Sequence, residues 1–173
     1  MQLTEKIEAE RSLPARSLDF WFDYTCPYAY LASTQVRALA ARMSVPLVYR
    51  PLPLGGVFRA VGTPQSLFAS RGEQRSRYDR ADMQRWAARF GVPLAMPDGH
   101  PLRSVEALRA TLATSMDPRV IDGFYRAYWT QGRPVSTPEV ISEVVAAAGH
   151  DPAEILARIE APAIKEELRR RTD

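Results

Sequence analysis

Residues Ser17 to Pro51 constrain the fold more than any other stretch of the chain. Ser17-Leu18-Asp19-Phe20-Trp21-Phe22 alternates and is rich in aromatics, which predicts a short strand. The run ends in Asp23-Tyr24-Thr25-Cys26-Pro27, after which Tyr28, Leu31, Ala32, Val36, Leu39, Ala40 and Met43 recur at helical spacing. Val45 to Pro51 is β-branched and bounded by prolines, which predicts a second strand. Strand, helix and strand at this spacing define a right-handed parallel unit, so the fold class is α/β.

Cys26, the sole cysteine, stands where the first strand meets the helix, with Pro27 at the first helical position, whose missing N–H is no loss there. Free amides and the positive end of the helix dipole favour an anion at that place. Dipole stabilisation of up to ~2 kcal/mol in good geometry, at ~1.4 kcal/mol per pKa unit, takes a thiol from about 8.5 to about 7. The expectation is therefore a substantially ionised Cys26. The alternative for a lone cysteine is a small buried apolar side chain.

One cysteine excludes an internal disulfide and a multi-cysteine zinc site, and His100 and His150 lie far apart, so no metal is expected. The net charge of +3 comes from arginines scattered among acids, without a basic block or aromatic–basic interleaving, so nucleic acid is not an expected partner. No apolar run is long enough to span a bilayer. Met1 to Arg16 is charged throughout and lacks the apolar centre of a secretory signal, which makes a cytoplasmic location the expectation.

Leu52 to Ser70, with Gly55-Gly56 and Gly62-Thr63-Pro64, reads as a long loop. Beyond it the chain is helical. Asp117-Pro118, Thr137-Pro138 and Asp151-Pro152 each set a capping oxygen before a first-turn proline, and Gly91 and Gly149 mark helix ends. Helices are predicted near 74–90, 103–115, 118–130, 138–148, 152–160 and 162–171. Residues 17–55 then form a βαβ half-domain, and residues 56–173 a loop and an all-α region.

Three segments together, Phe22-Asp23-Tyr24-Thr25-Cys26-Pro27-Tyr28-Ala29-Tyr30-Leu31-Ala32, Tyr49 to Arg59, and Arg85-Trp86-Ala87-Ala88-Arg89-Phe90-Gly91-Val92-Pro93-Leu94, resemble the 2-hydroxychromene-2-carboxylate isomerase and kappa-class glutathione transferase group. That group lies within the DsbA-like thioredoxin-fold superfamily. The resemblance implies a thioredoxin-like fold with a large helical insertion. It also implies a cis-proline segment, a β-hairpin and a last helix after the insertion, which the 173 residues do not contain. Gly91-Val92-Pro93 is read as a turn ending a helix of the insertion, not as that cis-proline.

What the resemblance implies for function is a glutathione-dependent isomerase or transferase acting on aromatic catabolites or similar electrophiles, with homodimers as the expected assembly. Relatives carry serine at the position of Cys26, where the side chain holds the glutathione sulfur ionised; disulfide oxidoreductases carry a second cysteine where this chain has Ala29. Arg59 falls where the group has a lysine reaching the glutathione or substrate carboxylate, and Thr63 where an asparagine is common. Cys26, Arg59 and Thr63 are thus the candidate glutathione-binding residues, with Cys26 the candidate catalytic one. Trp86, Phe90, Phe124, Tyr128 and Trp129 are expected in the core and His100 as a loop residue, while Tyr28, which flanks the turn and shares the apolar helix face, suits the core or the site equally. A DsbA-like monothiol oxidoreductase, or a non-catalytic ligand- or partner-binding protein, are the other readings.

Overall fold

The structure is a computed structural model that describes residues 16–65 and 70–172. The reading of the amino terminus concerns 1–15 and part of the predicted loop concerns 66–69, both outside the described residues. Strand β1 (Leu18–Phe22) leads into helix α1 (Pro27–Met43) and strand β2 (Leu47–Pro51), and the two strands pair in parallel with Phe20 opposite Tyr49. Helices α2 (Leu54–Ala60), α3 (Glu73–Phe90), α4 (Val105–Ala113), α5 (Pro118–Trp129), α6 (Pro138–Ala147), α7 (Pro152–Ile159) and α8 (Pro162–Arg170) follow. The chain is mostly helical with a small two-stranded sheet. Among the described residues no helix is long and apolar enough to cross a membrane.

The predicted caps form. Asp117 accepts from Arg119 N–H, Thr137 from Val140 N–H and Asp151 from Ala153 N–H, each with proline in the first turn. Gly91 closes α3 in the left-handed conformation at φ 67°, which a side chain would strain.

Alternation places Phe20 and Phe22 inward and Trp21 outward, where Arg50 lies over its ring and pairs with Asp19. The inward face of β1 meets the aromatic face of α5. Tyr125 packs 6.0 Å from Phe22 and 5.0 Å from Tyr24, and Trp129 stacks on Tyr30 at 5.9 Å. Aromatic rings at these separations contribute roughly 0.5–1.5 kcal/mol per pair beyond burial. This one aromatic cluster joins the βαβ unit to the helices.

Phe124, Tyr128 and Trp129 are in the core as expected, and Phe90 is half-buried against it. Trp86 is not, at 42% exposed, and Tyr28, which suited core or site, is 46% exposed and lines the cavity described below. Helix α1 carries apolar residues on more than one side, and it buries the side with Tyr30, Leu31, Val36 and Ala40, where Tyr30 meets Tyr125 and Trp129 of α5, leaving Tyr28, Leu39 and Met43 outward. Trp86 loses its place to Met83 and Ala87, which α3 buries. The predicted loop also contains a helix, α2, none of whose residues is fully buried.

Helices α5 and α6 approach closely at Gly123, where an added Cβ would lie 2.7 Å from a Val144 methyl. Neither helix can yield without disturbing the buried Phe124 and Val145 beside that contact. Gly123→Ala is therefore expected to destabilise the fold by about 1–3 kcal/mol despite alanine's better helix propensity. Urea unfolding measures this, and an unchanged or raised midpoint would contradict the packing.

Candidate active site around Cys26

The turn after β1 is built on Asp23. Its Oδ1 accepts from Thr25 N–H at 3.0 Å and from Thr25 Oγ1 at 3.1 Å, and its carbonyl accepts from Cys26 N–H at 3.1 Å. An aspartate bonding the backbone two residues on is a preferred turn device. Tyr24 fastens the turn from beneath. Its carbonyl accepts from Trp129 Nε1–H at 2.8 Å. Thr111 donates its only hydroxyl proton to the Ala107 carbonyl, so Tyr24 O–H is the donor in the 2.5 Å bond to Thr111 Oγ1. Cys26 is thereby held at the N-cap of α1, with Pro27 following.

Two further walls converge on this turn. Leu54 N–H, the first helical amide of α2, donates to Asp23 Oδ2 at 2.7 Å, and Leu52 N–H donates to the Phe22 carbonyl at 3.0 Å. The segment before α4 forms the other wall. There Leu102 N–H donates to Tyr128 Oη at 3.0 Å, and His100 Nδ1 lies 2.9 Å from the same oxygen. Between the walls is a cavity of about 570 Å3 lined by Asp23, Cys26, Gly56, Arg59, His100 and Ser104, among others. Cavities of about 300–1,000 Å3 are the usual size of small-molecule sites.

The cavity brings Cys26 and Arg59 together; Thr63 does not line it. Thr63 instead donates its N–H to the Phe58 carbonyl at 2.7 Å, closing the turn after α2. Arg59 is exposed at the rim and makes no ion pair among the described residues, whereas Arg71 pairs with Asp79 and Arg103 with Glu106. Arg59 is thus the guanidinium available to a ligand anion.

The expected thiolate is overturned. Burial pushes the Cys26 thiol up from its ordinary value, and the neighbouring Asp23 charge adds to that. The Tyr28 and Ala29 amides pull the other way but are outweighed, and the side chain makes no capping hydrogen bond. Cys26 at neutral pH is a thiol, a donor rather than an anion. Burial likewise pushes the Asp23 carboxyl up and the His100 imidazole down, so His100 is neutral.

Asp23 and His100 are site residues that sequence reasoning passed over. A signal for the first was present: an acid within an aromatic strand end, two residues before threonine, reads as a side-chain-bonded turn. None was present for His100, which reaches the cavity only because Tyr128 on α5 receives it. Arg103 and Ser104 also line the cavity.

Residues 17–173 match the DSBA-like thioredoxin domain, and the chain belongs to that family. Among its relatives is a 2-hydroxychromene-2-carboxylate isomerase of Pseudomonas putida, 26% identical over 132 residues, covering 73% of this chain and 64% of the relative. A protein of the same name from Sphingobium xenophagum is 33% identical over 84 residues, covering 47% of this chain and 42% of the relative. The chain thus spans less than two thirds of the length of these curated relatives. A solved structure of a 2-hydroxychromene-2-carboxylate isomerase superposes with a TM-score of 0.71 at 23% identity, covering 91% of this chain and 77% of the other.

The raised thiol makes a direct prediction. Iodoacetamide labelling of Cys26 followed across pH should have its midpoint above about 8.5, the value of a free cysteine; a midpoint near 7 would restore the helix-stabilised thiolate.

Proposed function

We propose that the protein is a glutathione-dependent isomerase of the 2-hydroxychromene-2-carboxylate isomerase type, acting on aromatic carboxylates or similar electrophiles. One observation carries the reading: a thiol at a helix N-terminus and an arginine without an anionic partner among the described residues line one cavity of about 570 Å3. The names of the curated relatives support it.

The residues fit glutathione. Its carboxylates suit Arg59, and its sulfur suits a position beside Cys26, facing the amides of Tyr28 and Ala29. Bound glutathione supplies a sulfur nucleophile that adds to a conjugated double bond, making it a rotatable single bond until elimination restores it.

Cys26 holds its proton on Sγ and donates a hydrogen bond to the ligand sulfur, favouring the ionised form of that sulfur. Asp23 discourages a second negative charge on Cys26 itself, so the anion resides on the ligand. The first turn of α1 completes the cradle with backbone N–H groups. Serine at this position in the relatives that the sequence resembles is the same device with oxygen in place of sulfur. A half-buried cysteine kept protonated is poorly suited to thiol–disulfide exchange, and Ala29 supplies no resolving partner.

Two variants test the proposal, assayed as glutathione-dependent isomerisation of 2-hydroxychromene-2-carboxylate. Cys26→Ser should retain most of the activity, and Cys26→Ala should lose about 10–100-fold in kcat/KM, the weight of one hydrogen bond to a charged group. Loss of activity in the serine variant equal to that in the alanine variant would refute the donor role. Arg59→Ala should raise KM by about tenfold with a smaller change in kcat; an unaltered KM would remove Arg59 from the site.

A further inference from the structure

Asp23 is a carboxyl almost wholly withdrawn from solvent, at 3% exposure, on the wall of the cavity, and it forms no ion pair among the described residues. A buried carboxylate without a cation is costly unless donors saturate it. Its donors are Thr25 N–H, Thr25 Oγ1–H, Leu54 N–H and the Ser104 hydroxyl, which fill the usual capacity of two carboxylate oxygens. Little acceptor capacity is left for a ligand. The three segments that supply these donors are the segments that form the cavity: the Cys26 turn, the first turn of α2 that carries Arg59, and the residues before α4 that follow His100.

Helix α2 has little else to fix it. It has no fully buried residue and no capping side chain, and it contains Gly55 and Gly56. Among the described residues its other ties are the Leu52 N–H bond to Phe22, the Gln65 side-chain bond to the Gly55 carbonyl, and the approach of Gly56 to Thr172. The Leu54 bond to Asp23 is the shortest hydrogen bond between α2 and the buried turn.

We infer that Asp23 is a positioning residue: through its two carboxyl oxygens it ties the first turn of α2, and with it Arg59, to the turn that carries Cys26. The role concerns the site of the proposed function and rests on that reading only where glutathione is measured.

The test uses the full chain as wild type, D23N and L54P, with folding checked by circular dichroism. Proline is tolerated at a first helical position, so L54P removes one donor to Asp23 and keeps the charge. In D23N the pH midpoint of iodoacetamide labelling of Cys26 should fall, because a neighbouring like charge is removed while burial, the larger cause of the raised thiol, stays. In L54P the midpoint should hold, while amide exchange of residues 55–60 should quicken by about tenfold. A carboxyl that served only the fold would leave the labelling midpoint of a folded D23N unmoved, and that result overturns the inference. Unchanged exchange of α2 in L54P overturns it as well, and decides alone should D23N not fold. Glutathione titration of the wild type separates the two ideas: no binding removes the proposed function, while the labelling and exchange results still judge Asp23.

Discussion

The bonds of the Asp23 carboxyl are the constraint on which the site depends. One oxygen shapes the turn that delivers Cys26 and the other captures the first amide of α2. Burial makes each of these bonds stronger than it would be in water and makes losing one expensive. The same burial sets the electrostatics, because a negative charge shielded from solvent acts on the sulfur three residues along. The geometry has its source in these bonds, whereas the protonation state of Cys26 comes first from burial, with the Asp23 charge adding to it.

The turn is rigid because the helices brace it from below. Trp129 and Thr111, on α5 and α4, both bond Tyr24, and the stacked and edge-on rings around Tyr125 fill the space between β1 and α5. In this arrangement the helices carry the core and the small sheet carries the chemistry at its end. A thioredoxin-type βαβ unit of two strands buries too little apolar surface to be independently stable. The aromatic face of α5 supplies what the sheet lacks.

Much of this architecture was legible in the sequence. Period-two alternation at Leu18–Phe22, helical spacing from Pro27 and three oxygen-then-proline caps are local signals, and local physics decides those elements. Helix α2 was not legible, since Leu-Gly-Gly-Val-Phe-Arg-Ala has poor helix propensity and its first turn is fixed by a residue thirty-one positions earlier. The buried side of α1 escapes sequence reading for a related reason: Tyr28 and Tyr30 both suit a core until the aromatic face of α5 takes Tyr30. The position of Cys26 could be read, but not its protonation. A helix N-terminus acts within a turn, whereas desolvation comes from walls assembled across the chain, and here it prevails. Arg59 entered through family resemblance, and the structure adds that it has no anionic partner among the described residues.

The central claim is that negative charge in this site belongs on a bound thiol and not on Cys26. Ultraviolet thiolate absorbance on adding glutathione at neutral pH, compared between the wild type and Cys26→Ser, tests it most directly. The account predicts no thiolate band in either protein alone and a band of similar size in both once glutathione is bound. A band already present in the wild type without glutathione, or one that the serine variant cannot produce, would contradict it.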